Sequence, residues 1–192
     1  MDIIDQLIRE RDRLVKDYGT LTKVPMVDEV NAFPGASGFL EGEPGRRRVL
    51  ILLHNYAGTG NISRKENYQS AFWLTLDLYL KGAGLGRRDV FLTNLYMGLR
   101  NGSAVGEMVE DGGPNFANEC FEFFERQCEL VDPDLVVLCG DEVKKALSGW
   151  KGRPSVYVAH PSSNRDANHR ERRAAKWARK IKESLAQVID NG

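Results

Sequence analysis

The sequence predicts a three-layer α/β/α fold around a central parallel sheet of four strands. Short apolar runs alternate with segments whose apolar residues recur at helical spacing, a pattern typical of a parallel sheet covered on both faces. The strand predictions are 49–53 (VLILL), 89–94 (DVFLTN), 134–140 (DLVVLCG) and 154–159 (PSVYVA). Polar residues follow several of these runs directly, and open α/β sheets bind their ligands at the carboxyl ends of the strands.

The connecting segments are predicted from apolar periodicity and from helix breakers. The helix predictions, in chain order, are 2–18, 68–80, 116–130, 141 to about 147, and 168–189. Gly82 and Gly84 are expected to end the second helix, and Asp141 is expected to be the N-cap of the fourth. Residues 19–47 are rich in proline and glycine and predict an extended connection, while 101–115 predict a glycine-rich loop.

Length and charge limit the classes of function. A chain of 192 residues with 42% hydrophobic content can bury one core, so we expect a single domain over residues 1–192. The 27 basic residues balance the 27 acidic ones, so the chain has no global positive field that would attract nucleic acid from a distance. Residues 1–19 alternate charged and apolar side chains, unlike a signal peptide or a membrane span, and we expect a cytoplasmic protein.

The cysteines and histidines do not predict a metal site. Cys120, Cys128 and Cys139 are odd in number and show no CxxC spacing, which argues against a disulfide framework and against zinc. His54 and His160 lack HxH or HExxH spacing, so a metal site shared with an acidic partner such as Asp166 is not expected. We therefore expect no metal and no cofactor.

The motifs at the strand ends resemble those of the uracil-DNA glycosylase superfamily. In order, they are 54–58 (HNYAG), 91–98 (FLTNLYMG) and 156–164 (VYVAHPSSN), and the similarity covers residues 48–166. The segment 118–149 is similar to the iron–sulfur branch of that superfamily. The resemblance implies a four-stranded parallel sheet with a flipped base at its carboxyl edge and a glycosidic bond cleaved without a metal.

The resemblance also implies roles for individual residues at this edge. His160 corresponds to a neutral histidine that stabilises the negative charge developing on uracil O2. Asn94 corresponds to a carboxamide that accepts a hydrogen bond from uracil N3 and donates one to O4. Phe72 is expected to stack on the base, with Trp73 as the close competitor, and Gly58 is expected to lie beside the base.

The first motif departs from the family pattern at the residue that handles water. Active relatives carry Asp, Asn or Glu where Tyr56 stands, and a phenol with a pKa of about 10 is a poor general base at neutral pH. Asn55 would orient water through its amide oxygen if the alignment shifts by one residue. His54 is another candidate base because histidine titrates near neutral pH. The candidate catalytic residues are therefore His160, Asn55, His54 and Tyr56.

DNA is the expected partner of a monomeric protein. By resemblance, Ser162, Ser163 and Arg165 would bind the phosphates that flank the extruded nucleotide, and Asn164 and Arg165 occupy the region where many relatives insert a wedge into the duplex. The arginines that follow are open to two interpretations, phosphate contact or a solvated helix face; they are Arg170, Arg172 and Arg173.

The expected reaction is hydrolysis of the N-glycosidic bond of uracil or a related damaged base in DNA, as in base excision repair. Two alternatives stay open: a non-catalytic member of the fold that binds a nucleobase or nucleic acid, and a hydrolase of free nucleosides or nucleotides. No iron–sulfur cluster is expected, because such a cluster takes four cysteines. Cys120 matches one ligand position, Gly98 stands at another, and the N-terminal pair of ligands is absent.

Overall fold

The computed structural model describes residues 3–15, 21–23, 38–41, 47–55, 71–100, 108–161 and 167–190. The helices in these ranges are α1 (Ile3–Leu14), α2 (Ala71–Ala83), α3 (Met108–Val131), α4 (Asp141–Ala146) and α5 (Ala167–Asp190). The strands are β1 (Leu21–Lys23), β2 (Gly38–Phe39), β3 (Val49–Asn55), β4 (Val90–Tyr96), β5 (Gly98–Arg100), β6 (Leu135–Cys139) and β7 (Ser155–Val158). Within the described ranges, no helix combines the length and the apolar character needed to cross a membrane.

The main sheet has the strand order β2-β4-β3-β6-β7. Strands β3, β4, β6 and β7 are parallel, as the sequence predicted. The sheet has five strands rather than four, because β2 adds an antiparallel edge strand beside β4. A strand of two residues is too short to show an alternation of apolar and polar side chains, so β2 was not recognised within the predicted connection 19–47. Strand β1 also lies within the predicted connection 19–47, and it pairs with β5 in a separate two-stranded sheet.

Helices cover both faces of the main sheet and bury a core on each. One core lies under α1 and α3, and its largest members include Leu7, Leu50, Leu52, Phe91, Phe123 and Phe124. The other lies under α2 and α5 and includes Val49, Ile51, Trp73, Leu92, Trp177 and Ile181. Successive residues of β3 thus alternate between two buried faces, which is why its sequence is continuously apolar.

Helix α2 does not end at Gly82, contrary to the prediction from sequence. A Cβ at Gly82 would lie 2.9 Å from the Cβ of Ala178, so glycine allows α2 to pack closely against α5. The helix continues to Ala83 and is followed by Gly84, whose φ of +74° is the left-handed conformation that commonly follows a helix.

Two further helix starts differ from the predictions. Helix α3 begins at Met108 rather than 116 and contains Pro114. Glycine costs about 1 kcal/mol and proline about 3 kcal/mol in a helix, and the buried face of the following turns offsets that cost. Asp141 is the first residue of α4 and not its N-cap; the N-cap is Gly140, because its φ of 95° and ψ of 160° suit only glycine.

Candidate functional site

The carboxyl ends of the four parallel strands bring polar groups to one edge of the sheet. His54 and Asn55 are the last residues of β3, and Asn94 lies in β4 directly opposite Leu53. His160 follows β7 by two residues. The predicted parallel topology therefore places residues from three separate motifs at the same edge.

A cavity of about 480 Å³ opens at this edge. Its described lining comprises the two histidines, the end of β6, the start of α4, the end of β7 and one arginine of α5: His54, Cys139, Gly140, Asp141, Glu142, Tyr157, Ala159, His160 and Arg173. Sites for small organic ligands have volumes of about 300–1,000 Å³. The cavity is large enough for a single nucleobase with its sugar.

His160 is held in its neutral form at physiological pH. Its pKa is lowered from the ordinary value of 6.5, first by burial and second by the charge of His54. The imidazole ring lies 6.2 Å from the ring of Phe72, measured between centroids, and His54 packs edge to face against Tyr96 at 5.2 Å. A neutral imidazole retains one N–H donor, which can donate a hydrogen bond to an anion.

We expect His54→Gln to raise the pKa of His160. The substitution removes the positive charge that opposes protonation of His160, while burial continues to hold the pKa below its ordinary value. The measurement is an NMR titration of the His160 ring in the wild type and the variant. An unchanged or lower pKa in the variant would show that His54 exerts no charge on His160.

Gly140 fits the backbone closely against His160. Its φ is +95°, and a Cβ added there would lie 3.4 Å from the Cβ of His160. We expect Gly140→Ala to cost about 1–3 kcal/mol of stability through backbone strain and to bring a methyl group into van der Waals contact with His160. Gly149, with φ +83° and nothing within 4 Å, is the matched control. Both variants should melt at lower temperature, but only Gly140→Ala should change the NMR titration of His160.

Asn94 is a buried amide near the carboxyl end of β4, and it is not part of the described lining of the cavity. Its side chain is 1% exposed, and neither its amide nitrogen nor its amide oxygen has a hydrogen-bond partner among the described residues. A buried polar group without a partner costs about 1–3 kcal/mol. Such groups are rare in native proteins, and a functional role is one of the explanations for them.

The structure separates the two aromatic candidates on α2. Phe72 is half-buried, with its ring centroid 5.2 Å from Trp73 and 6.2 Å from His160. Trp73 is 1% exposed and belongs to the core between the sheet and α2. Phe72 is thus the ring beside His160, whereas Trp73 supports it from within the core.

The described residues include part of the predicted site. His54, Phe72 and His160 are close together, Asn55 ends the same strand as His54, and Asn94 lies in the neighbouring strand. The other predicted residues lie outside the described ranges: Tyr56, Gly58, Ser162, Ser163, Asn164 and Arg165. The proposed roles of these residues stay predictions.

Sequence reasoning did not identify Tyr157 and Asp141 as part of this edge. The Tyr157 hydroxyl donates a hydrogen bond of 2.6 Å to Asp141 Oδ1, and this bond is the main cause that raises the pKa of Tyr157 to about 12. The alternation Val156, Tyr157, Val158 in an edge strand was an available signal, because it places the tyrosine on the face opposite the two valines. The partner carboxylate was not predictable from spacing.

The cysteines do not fit an iron–sulfur cluster. The chain has three, all buried, whereas a cluster takes four. Cys120 Sγ accepts a hydrogen bond of 3.3 Å from the backbone N–H of Met97, beside Gly98, and Cys139 lies in the core on the other face of the sheet. Burial raises the pKa of Cys120 to about 12, which opposes the thiolate that a metal ligand requires.

Comparison with known proteins gives one family match. The family model described as "Uracil DNA glycosylase superfamily" matches residues 56–185, about two thirds of the chain. The match runs from the end of β3 through most of α5 and includes Phe72, Asn94 and His160. A search of curated proteins finds no match.

Proposed function

Because the chain belongs to the uracil DNA glycosylase superfamily, we propose that it removes uracil or a related damaged base from DNA by hydrolysing the N-glycosidic bond. The observation that carries this proposal is the buried amide of Asn94, which has no hydrogen-bond partner among the described residues. A group that pays a desolvation cost in the free protein can recover it when a ligand arrives.

The amide of Asn94 has the donor and acceptor that uracil requires. Its oxygen accepts a hydrogen bond from N3–H, and its nitrogen donates one to O4. Cytosine presents an acceptor at N3 and a donor at N4, which is the opposite pattern. A buried amide held in one orientation therefore rejects cytosine, because mismatched polar groups would be left unpaired in a dry site.

The remaining groups supply the chemistry in this proposal. Water attacks C1′ of the deoxyribose, the bond from C1′ to N1 breaks, and the uracil leaves with the bonding electrons as an anion. The neutral imidazole of His160 donates an N–H to O2, where the negative charge develops. Phe72 stacks on the base. Asn55, His54 or Tyr56 positions the attacking water. The proton that the water loses passes to His54 or to solvent, because an amide is not a base at neutral pH.

The proposal extends to the rest of the chain. Ser162, Ser163 and Arg165 would bind phosphates, and Gly58 would lie against the base. Residues 1–192 would form a single domain that acts as a monomer in the cytoplasm and takes part in base excision repair.

The test is base excision by the purified full-length chain. Labelled single-stranded and double-stranded DNA, each with one uracil, is incubated with the protein and treated with alkali to reveal abasic sites; matched strands carrying thymine or cytosine are the controls. Cleavage is expected at uracil and not at cytosine, whose ring edge presents the opposite pattern of donor and acceptor to the Asn94 amide. Binding of the DNA without cleavage, even with the protein in large excess, would overturn hydrolysis and favour a non-catalytic base-binding protein.

A further inference from the structure

A second groove of about 270 Å³ lies between the edge strand β7 and helix α5. Its lining combines aromatic and basic side chains: Tyr79, Tyr157, Arg173, Lys176, Trp177 and Lys180. The rings of Tyr79 and Trp177, whose centroids are 4.9 Å apart, belong to the core and close the bottom of the groove. The groove thus has an apolar floor and a basic wall.

The groove adjoins the cavity of about 480 Å³ at the edge of the sheet, which we call the pocket. Tyr157, Ala159 and Arg173 line both of them. A ligand whose base occupies the pocket beside His160 can therefore extend into the groove without leaving the surface of the protein.

The basic wall has the spacing of a helical face. Arg173, Lys176 and Lys180 are three and four residues apart and so share one side of α5. With a rise of 1.5 Å per residue they span about 10 Å, enough to face two successive phosphates of a strand. Among the described residues, none that lines the groove is acidic.

The charges around the pocket are asymmetric. Asp141 and Glu142 line the pocket where α4 begins, whereas the residue of α5 that lines it is a cation, Arg173. Phosphates approaching that side would be repelled by the carboxylates, whereas phosphates on the α5 side would meet cations. A strand that leaves the pocket is therefore directed over α5.

Tyr157 fixes one of the cations that line the groove, Lys180. Lys180 Nζ donates a hydrogen bond of 3.1 Å to the carbonyl oxygen of Tyr157 and lies 5.7 Å from the centre of its ring. Lys144 Nζ lies 4.8 Å from the same ring. A partly fixed ammonium loses less conformational entropy when it binds a phosphate than a freely moving one does.

We propose that the groove between β7 and α5 binds the phosphodiester backbone of the DNA strand next to the extruded nucleotide. This inference deepens the proposed function and rests on it for the identity of the nucleic acid. The substrate is then a strand with two or more phosphates beyond the target base, not a free nucleoside, and helix α5 contributes to affinity without touching the reacting atoms.

The test measures binding of DNA that carries no uracil, so that it does not depend on excision. Fluorescence anisotropy with a labelled single strand compares the full-length wild type with Lys176→Ala/Lys180→Ala. Loss of two phosphate contacts should weaken binding about tenfold and reduce the slope of log K against log salt by about 1.4, at about 0.7 for each phosphate of a single strand.

Two further variants serve as controls. Arg179→Ala/Lys182→Ala removes the same charge from exposed positions of α5 that do not line the groove, and it should bind like the wild type. Lys176→Arg/Lys180→Arg keeps the charge in the groove and should keep the affinity. Equal loss in both alanine pairs would overturn the groove and indicate a diffuse effect of charge.

The two proposals fail in different ways. Suppose that uracil is excised while the Lys176→Ala/Lys180→Ala variant binds DNA with wild-type affinity and salt dependence. In that case the proposed role of the groove is wrong, and the proposed glycosylase activity is retained. If no excision is found but this variant selectively loses affinity, the groove stands as a strand-binding site and the proposed hydrolysis is wrong.

Discussion

Replacing His160 with alanine should lower the rate of uracil excision by about two to three orders of magnitude. One well-aimed donor to a developing anion contributes about 3–4 kcal/mol to the transition state. The measurement is the single-turnover rate on a uracil-containing strand, because that rate isolates bond cleavage from product release. A loss of less than tenfold would remove His160 from the catalytic role.

A glutamine variant of His160 distinguishes the effect of its hydrogen bond from the effect of the size of its side chain. His160→Gln keeps an N–H donor and should retain more activity than His160→Ala. Melting temperatures of both variants should show that the fold is intact, so that the loss of rate is a loss of chemistry. Equal rates in the two variants would indicate that the ring only fills space beside Phe72.

The pH dependence of excision provides an independent check on His160. Its pKa lies below the ordinary 6.5, so the neutral donor predominates at pH 7, and the rate of excision should change as the pH drops through the lowered pKa, because the ring then gains a charge. The free energy of unfolding should also depend on pH. The unfolded chain protonates this histidine from about pH 6.5 downward, before the folded chain does, so the free energy of unfolding decreases between these two pKa values as the solution is acidified.

The sheet could be predicted from the sequence because three of its parallel strands, β3, β4 and β6, are buried on both faces. A run such as Val49–Leu53 has no polar residue to interrupt it, and turn residues bound it. Strand β2 and the first turns of α3 could not be predicted in this way. Two residues carry no period, and Pro114 within a helix contradicts the usual local preference.

The position of a site residue could be predicted only where that residue directly follows an apolar strand in the sequence. Asn94 and His160 follow apolar runs, so their position at the sheet edge was predictable from the topology. The closeness of His54 and His160, the bond between Tyr157 and Asp141, and the groove along α5 depend on how separate elements pack. No local pattern encodes those distances.

Replacing Asn94 with leucine should stabilise the fold and abolish recognition of uracil. Leucine has the same branching with methyl groups in place of the amide atoms, so it removes a buried polar group that has no described partner. The gain should be about 1–3 kcal/mol, or roughly 2–4 °C in melting temperature for each kcal/mol in a chain of this size. Excision should fall by about two to four orders of magnitude, because two hydrogen bonds to the base are lost.

Gln127 offers a matched control for the prediction that removing a buried amide raises stability while it lowers activity. Gln127 is fully buried on α3, and its amide atoms also lack partners among the described residues. It differs from Asn94 in that α3 contributes no residue to the described lining of the cavity and does not end at that edge of the sheet. Gln127→Met should raise the melting temperature and leave excision unchanged. A variant of Asn94 that is less stable than the wild type would mean that the amide supports the fold. Higher stability with a large loss of activity would mean that the chain keeps a costly group at Asn94 because the base requires it.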